Sequence, residues 1–322
     1  MRLTDALYGE FDIPEPVVGE LIALPEFQRL RGVSNGGWHP GDPFFAGTVT
    51  RYEHSIGVFL LLRKFGAGLA EQLAGLLHDV SHGAFSHCLD YLSADADQQK
   101  TQTSQDSRHA AFLAGSEFAA VLARHGIAVE EVADESRYGL LESALPDICA
   151  DRIDYALRQW ADFPRAELPA DASPARLAEA LRVADGRFVF RAAESAGEFA
   201  SAFNRMSQVL WASFGATAAL LTTARCLRRA LALGLMTRGD LYRMGDMEAS
   251  ALMEASPDPE LRRLLADKRR PTADLAPKPG EPFETAYNKN RRVNPLYLDA
   301  AGRPTRAAAE ASAPFFEHRV RL

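Results

Sequence analysis

Three of the eight histidines fall within ten residues, in a segment from Gly75 to Leu89 that reads G-L-L-H-D-V-S-H-G-A-F-S-H-C-L. His78 and Asp79 are adjacent and follow an apolar run with helical spacing, and His82 and His87 come soon after. Neutral imidazole and carboxylate are ligand types that suit divalent metals. The segment therefore suggests a metal site at the end of a helix. An isolated His-Asp pair is more often a polar pair at a helix end, so support is needed from elsewhere in the chain.

Two other segments supply that support. Upstream, R-Y-E-H-S-I-G-V from Arg51 opens an apolar run and puts His54 at the start of a helix. Downstream, D-R-I-D-Y-A-L from Asp151 places Asp151 and Asp154 one helical turn apart. The spacing does not show that both aspartates are metal ligands.

The order His, then His-Asp, then Asp on three helices resembles the HD-domain metal-dependent phosphohydrolases. Within them, R-Y-E-H-S-x-G-V, G-L-x-H-D-x-x-H-G-x-F-S-H and D-R-x-D-Y look most like the deoxynucleoside triphosphate triphosphohydrolase branch and its close bacterial relatives. The lead-in Pro25 to Arg31 is also typical of that branch, and the resemblance covers roughly residues 1 to 160. It implies one divalent metal (Mn, Fe, Mg, Zn, Ni or Co) held by His54, His78, Asp79 and Asp151.

The resemblance also suggests roles for other side chains. Arg51 matches a phosphate-contacting arginine, and its alternative role is a surface salt bridge. A histidine changes charge near neutral pH, so His82 is a candidate proton donor or phosphate contact. His87 is a candidate substrate contact or a support beneath the site. Tyr155 is equally a sugar contact or a structural residue.

Two positions depart from the resembled branch. That branch has a sugar-contacting glutamine where this chain reads V-S-N-G-G, which leaves Asn35 as the candidate substrate contact. It also has a catalytic histidine followed by glutamate at a helix start, whereas here Ala110 follows His109. His109 is therefore a candidate catalytic residue without its usual partner.

Composition limits the classes of partner. Lys+Arg 36 against Asp+Glu 43 gives a net charge of -7, so nucleic acid is a possible partner but not a favoured one. Three scattered cysteines do not form a disulfide framework, and a reducing cytoplasm is expected. The first twenty residues have no apolar signal core, and no run of about eighteen apolar residues occurs. We expect a cytoplasmic protein with no membrane partner.

Apolar stripes with helical period recur from residue 54 to 265, which predicts a mostly α fold. We expect an HD-domain helical bundle over residues 1–165, further helices over 166–270, and a small β appendage over 271–322. One helix is expected from about Arg108 to His125, and a short hairpin around Asp185-Gly186. The polar segment Asp95 to Ser107 reads as a mobile surface loop. Loops are also expected at 32–50 and 162–174. The basic residues at 268–270, 278 and 289–292 read as solvated surface, or else as a site for a phosphate or a nucleic acid.

Three functions are compatible with the motifs and with the family resemblance that they carry. The first is hydrolysis of a dNTP to deoxynucleoside and triphosphate. The second is another HD phosphohydrolase reaction, on a nucleoside monophosphate, a cyclic dinucleotide or a pyrophosphate. The third is a nucleotide-sensing or nucleic-acid-binding protein with weak catalysis, against which the intact His and Asp set argues. The resemblance also implies a nucleotide substrate and a homo-oligomer.

Overall fold

The computed structural model describes residues 1–36, 49–93, 95–103, 105–160, 173–307 and 313–322. The fold is mostly α-helical, as predicted. The helices are α1 Pro16–Ala23, α2 Pro25–Gln28, α3 Arg51–Lys64, α4 Leu69–Leu77, α5 Ala96–Thr101, α6 Asp106–Ala114, α7 Glu117–Arg124, α8 Val129–Ala133, α9 Ala150–Trp160, α10 Pro174–Ala180, α11 Ala193–Met206, α12 Phe214–Ala232, α13 Arg238–Leu241, α14 Asp246–Glu254 and α15 Pro259–Lys268. Short 3-10 turns lie at Arg29–Gly32, Ser86–Tyr91, Glu135–Arg137 and Thr272–Leu275, and a π turn at Ser207–Trp211.

The strands of the described residues form three small sheets. They are β1 Arg2–Asp5, β2 Gly9–Asp12, β3 Leu181–Ala184, β4 Arg187–Phe190, β5 Phe283–Lys289, β6 Leu296–Leu298, β7 Pro304–Thr305 and β8 Phe315–Arg321. β1 pairs with β2 and β5 with β8, both antiparallel, and the third sheet has the order β3-β4-β6-β7. Only β4 and β6 are parallel within that sheet.

Helix α3 is central to the first hydrophobic core, where it packs against α4 and α9. Its start is fixed by a capping box, in which the Thr50 hydroxyl accepts from the Glu53 amide and the Glu53 carboxylate accepts from the Thr50 amide. Its residues from His54 to Leu62 are all buried, which explains the uninterrupted apolar run. The capping box therefore sets His54 in the first turn of a buried helix.

A second hydrophobic core surrounds α12, which packs against α15 and the 3-10 turn Ser86–Tyr91. Ala286 of β5 and Val320 of β8 belong to this core. The second core thus takes in the histidine-rich segment, part of the helical continuation and the C-terminal strands. The domain bounds expected from the sequence remain a prediction.

Several local predictions agree with the structure and two do not. The hairpin β3–β4 turns at Asp185-Gly186, where both residues have positive φ, 50° and 69°. The predicted single helix from Arg108 to His125 is two helices, α6 and α7, separated at Gly115-Ser116. The prediction of a mobile surface loop from Asp95 to Ser107 is wrong, because this segment contains α5 and buries Gln99 and Gln102. The expected loops at 37–48 and 162–172 lie outside the described residues. No described helix has both the length and the apolar character needed to cross a membrane.

Candidate metal centre and active site

Three ligand groups meet where α3, α4 and α9 come together. His54 lies in the first turn of α3, His78 directly follows α4, and Asp151 lies in the first turn of α9. One ligand atom from each lies within 4.8 Å of the others. His54 Nε2 is 2.9 Å from Asp151 Oδ1 and 3.2 Å from His78 Nε2. The three sequence segments therefore form one cluster.

The partners of the other ring nitrogens fix the tautomers of both histidines. His54 Nδ1 lies 2.7 Å from Asp154 Oδ2, and His78 Nδ1 lies 2.8 Å from the Gly75 carbonyl oxygen. A carbonyl and an ionised carboxylate only accept hydrogen bonds, so each Nδ1 carries the proton and donates. Each Nε2 is then left with its lone pair directed at the shared point, which is how metal-binding histidines are commonly oriented.

These distances fit one bound cation. Two neutral Nε2 lone pairs 3.2 Å apart repel each other unless a proton or a metal ion lies between them. Nitrogen ligands about 2.1 Å from an ion, at tetrahedral or octahedral angles, lie about 3.0–3.4 Å from each other. His78 Nε2 is also 3.6 Å from Asp151 Oδ1. The donor set and its spacing therefore suit a divalent metal.

Asp79 is held beside this cluster by Arg51. Its Oδ2 lies 3.5 Å from His78 Nε2 and 3.8 Å from His54 Nε2, and it also accepts from Arg51 Nη1. Burial would raise the pKa of Asp79, but the Arg51 guanidinium lowers it well below its usual value. Arg51 also donates to the Ser86 hydroxyl at 2.7 Å and to the Asn35 carbonyl oxygen at 3.0 Å. In this arrangement Arg51 positions Asp79 while it lines the cavity.

The two aspartates of α9 occupy different positions relative to the His54 ring, and only Asp151 lies on the side that faces His78. Asp154 is fully buried, contacts the far side of the His54 ring and accepts from Arg158 Nε at 2.8 Å. Arg158 Nη2 donates in turn to Asp5 Oδ2 at 2.6 Å. Gly57 makes room for this ion pair, since a Cβ there would lie 2.0 Å from Arg158 Nη2. Asp154 thus orients His54 and does not face the shared point.

The electrostatics of the cluster show an excess of negative charge. Burial alone would lower the pKa of His78, yet Asp79 and Asp151 raise it to about 10. The pKa of His54 is also raised, against the effect of burial, by its bonds to Asp151 and Asp154. The pKa of Asp151 is lowered by both histidines, again against burial. Without a metal, protons on the imidazoles are the charges that balance these carboxylates.

The cluster opens into a cavity of about 220 Å³. Among the described residues, the charged, polar and aromatic side chains that line this cavity are of four kinds. These are the acids Asp79, Asp151, Glu135 and Glu142, the cations Arg51, Arg152, Lys289 and Arg291, the imidazoles of His54, His78, His82 and His87, and a polar and aromatic set that includes Asn35, Gln102, Gln105, Gln159, Asn288, Tyr155 and Trp211.

His82 and His87 both face this cavity. His82 Nε2 lies 3.3 Å from Asp79 Oδ1, and burial together with the Arg51 charge lowers the pKa of His82 to about 3. His87 Nδ1 lies 3.1 Å from Asp90 Oδ2, and burial lowers its pKa too. The two rings meet edge to face with centroids 5.4 Å apart. In the free protein both are neutral hydrogen-bonding groups at neutral pH.

His109 is buried and is not among the described residues that line the cavity. Its Nδ1 lies 3.2 Å from the Ser81 hydroxyl, and its Nε2 has no hydrogen-bond partner among the described residues. Glu135 Oε1 approaches that nitrogen to 3.9 Å, and Glu135 itself lines the cavity. Burial raises the pKa of Glu135 to about 8. A glutamate thus approaches His109 from a separate turn, which sequence spacing gave no means of predicting.

Tyr155 and Asn35 reach the cavity by different routes. The Tyr155 ring packs edge to face on Trp211 at 5.1 Å, and its buried hydroxyl has no partner among the described residues. Trp211 comes from the turn between α11 and α12, although its place in an apolar helical stripe predicts a core residue. Asn35 lines the cavity and also supplies a backbone carbonyl to Arg51.

The C-terminal segment contributes to the same cavity. Asn288 and Lys289 at the end of β5, and Arg291 just beyond it, lie on the cavity wall although they are distant in sequence from the HD motifs. Gln105 donates to the His78 carbonyl oxygen at 2.8 Å and to Ser81 Oγ at 2.9 Å, so the Gln-rich segment also forms part of the wall. In the sequence, the features that could have pointed to this part of the cavity wall were the basic residues at 289–292 and the repeated glutamines. Both features are also typical of a solvated surface.

Comparison with known proteins agrees with this geometry. The HD domain family model matches residues 51–158. The uncharacterized protein YdhJ of Bacillus subtilis is 34% identical over 269 residues, covering 82% of this chain and 79% of that protein. The metal-dependent phosphohydrolase cns2 of Cordyceps militaris is 31% identical over 267 residues, covering 82% of this chain and 76% of that protein.

Two further matches are more distant. The deoxynucleoside triphosphate triphosphohydrolase SAMHD1 of Homo sapiens is 32% identical over 105 residues, which cover 27% of this chain and 16% of that protein. A solved structure of a hypothetical protein from Aquifex aeolicus superposes with a TM-score of 0.69 at 18% identity, covering 100% of this chain and 96% of that one. The second match supports the fold alone.

Proposed function

Because this chain belongs to the HD-domain family of metal-dependent phosphohydrolases, we propose that its substrate is a nucleotide and that it hydrolyses a dNTP to deoxynucleoside and triphosphate. One observation carries the proposal. The cavity that contains the histidine and aspartate cluster also contains four cations for phosphate groups, and aromatic and amide side chains for a sugar and base.

We assign the metal ligands as His54, His78, Asp79 and Asp151. The bound divalent ion supplies polarisation of a phosphoryl oxygen and an acidified water. Asp154 and the Gly75 carbonyl hold the two imidazoles in the orientation that ligation needs. Arg51 holds Asp79 in its ionised form beside them.

His82 is the proposed hydrogen-bond donor to the phosphate. It is neutral in the free protein, and an anionic phosphate beside it would favour the imidazolium. His82 can then donate a proton to the leaving oxygen. The Nε2 of His109 has no hydrogen-bond partner among the described residues and lies near Glu135, so His109 is the alternative acid, acting through that cavity-lining carboxylate. Arg51 stabilises charge on the phosphate as well as positioning Asp79.

The nucleoside would occupy the aromatic and amide part of the cavity. Tyr155 offers an unpartnered hydroxyl and a ring, and His87 and Asn35 offer hydrogen bonds. The similarity to SAMHD1 over 105 residues supports a dNTP. A second candidate is another HD phosphohydrolase reaction, for example on a nucleoside monophosphate. It is favoured by the absence of glutamine from Val33 to Gly37, where the resembled branch contacts the sugar.

We also propose a homo-oligomer in the cytoplasm. The resemblance supports the oligomer, and three buried cysteines that form no disulfide within the described part of the chain suit a reducing compartment. Light scattering at micromolar concentration that shows only monomer would remove the oligomer from the proposal.

The function is tested by product identification. Protein purified without oxygen and analysed for metal is incubated with a panel of deoxynucleotides and ribonucleotides, and the products are separated by chromatography. Deoxynucleoside and triphosphate from a dNTP support the proposal. Release of orthophosphate or pyrophosphate, or turnover of monophosphates alone, would transfer the assignment to the second candidate.

A further inference from the structure

Arg291 differs from the other arginines of the cavity in how its charge is balanced. Arg51 is paired with Asp79, and Arg152 donates to Glu142 Oε1 at 2.6 Å. Arg291 donates from Nη2 to the neutral amide oxygen of Gln102 at 2.8 Å. Within the described part of the chain, no carboxylate forms an ion pair with Arg291. Arg291 is thus a half-buried cation that lines the cavity and has no ion-pair partner among the described residues.

The surroundings of Arg291 fix its position. Its backbone amide donates to the Ser207 hydroxyl at 3.0 Å. The Gln102 amide nitrogen donates to Asn288 Oδ1 at 3.1 Å, and Asn288 Nδ2 donates to the Trp211 carbonyl oxygen at 3.0 Å. Because Asn288 takes up the NH₂ group of Gln102, the oxygen of Gln102 must face Arg291. The guanidinium is therefore oriented before any ligand binds.

A partly buried guanidinium with only neutral partners retains much of its desolvation cost. An anion that enters the cavity lowers that cost, and a phosphate group matches the planar donor fork of arginine. The charge of Arg291 also acts on Tyr155 in the cavity. Burial raises the pKa of Tyr155, and the positive charge of Arg291 partly offsets that rise. Lys289 lies two residues earlier and lines the same cavity.

We propose that Arg291, which lies just beyond β5 and is oriented by its hydrogen bond to Gln102, binds the phosphate chain of the substrate. The identity of that substrate as a nucleotide rests on the proposed function. The HD segment alone would then hold the metal and orient the reacting group, while affinity for a polyphosphate depends on a residue more than a hundred positions later in the chain.

The test compares Arg291→Gln with Arg292→Gln, which removes an equal charge from the next residue, outside the described lining of this cavity. Binding of inorganic triphosphate to the metal-loaded protein is measured by calorimetry, with the metal ion in excess so that chelation does not empty the site. KM for the best nucleotide is measured in parallel. We expect Arg291→Gln to weaken triphosphate binding and to raise KM by about 10- to 100-fold. Arg292→Gln should change neither by more than about twofold, and Arg291→Lys should recover part of the loss.

Equal triphosphate binding by wild type and Arg291→Gln, with metal content and melting temperature unchanged, would overturn the inference. An equal loss in Arg292→Gln would do so as well, since it would indicate only a general charge effect. If Arg291→Gln does not fold, Arg291→Met serves the same comparison with an apolar stem. Wild-type protein that binds triphosphate through Arg291 but hydrolyses no nucleotide would contradict the proposed function and leave this inference standing. If the protein hydrolyses nucleotides and the Arg291 variants do so with unchanged KM, the proposed function stands and this inference is overturned.

Discussion

His54 Nδ1 lies 2.7 Å from the buried carboxylate of Asp154, on the side of the ring opposite to Asp151. Because Nδ1 donates its proton to Asp154, Nε2 of His54 carries the lone pair that could bind a metal. The ability of His54 to bind a metal therefore depends on Asp154, which lies outside the proposed ligand set.

Asp154→Asn tests that relationship. An amide can present its NH₂ group to Nδ1, which moves the ring proton to Nε2 and blocks ligation. We expect metal affinity to fall about 10- to 100-fold. Metal affinity is measured by competition with a chromophoric chelator, and the control is Asp134→Asn, the same change at an exposed position. Normal affinity in Asp154→Asn would show that the tautomer is not set by this bond.

Gly57→Ala tests the ion pair that supports Asp154. The added methyl group would lie 2.0 Å from Arg158 Nη2 and 2.1 Å from Asp154 Oδ1, so the buried pair must move. We expect the free energy of unfolding to fall by about 3 kcal/mol or more, with loss of metal. The matched control is Gly197→Ala within α11, where a Cβ meets nothing within 4 Å. That variant should gain about 0.5–1 kcal/mol. Equal denaturant midpoints for the two variants would contradict the packing described for Gly57.

His82→Ala separates phosphate contact from metal binding. If His82 donates to the phosphate, the variant keeps its metal and loses about two to four orders of magnitude in kcat. Because the pKa of His82 is about 3 in the free protein, the pH profile of kcat/KM should show no limb from this residue near neutral pH. His125→Ala, on the surface beside Glu20, is the control. Loss of metal in His82→Ala would instead indicate a two-metal phosphohydrolase, and near-normal turnover would make His109 the leading acid.

The raised pKa of His78 predicts how the metal-free protein responds to pH. A folded-state pKa of about 10, above the ordinary 6.5, means that the folded protein holds this proton more tightly than the unfolded chain. The resulting stability is fully present below about pH 6.5 and is lost as pH rises toward 10. The melting temperature of metal-free protein should therefore fall over that window. Metal-loaded protein and metal-free His78→Gln should show a smaller fall. Identical pH dependence in all three would remove His78 from the explanation.

The meeting of His54, His78 and Asp151 in one cluster was predictable because each of them lies within a short motif with a strong local pattern. His54 follows a capping box, His78 and Asp79 end an apolar helix, and Asp151 opens the next motif helix. What joins them in space is the packing of α3 against α4 and α9, which the family resemblance implied when it assigned these residues to one metal. The mostly helical fold followed from the same stripes.

The part of the cavity formed by Gln102, Glu135, Asn288 and Arg291 was not predictable because it depends on long-range contacts between polar residues. Gln102 contacts Arg291 and Asn288 across more than 180 positions of sequence, and no periodicity records such a contact. Glutamines that hydrogen-bond to other polar residues in the interior give a segment the same composition as glutamines in a solvated loop. Glu135 likewise approaches His109 from a turn outside every motif. The N-terminal hairpin β1–β2 was missed as well, although its Asp5 supports Arg158.

The most direct test of the central claim is to measure metal content and nucleotide turnover together in the wild type and in Asp151→Ala. We expect one divalent ion per wild-type chain. We also expect a chelator to abolish nucleotide turnover and added metal to restore it. Folded Asp151→Ala, checked by its melting curve, should retain neither the ion nor the activity. Full metal occupancy and normal turnover in well-folded Asp151→Ala would contradict the assignment of this cluster as the catalytic centre.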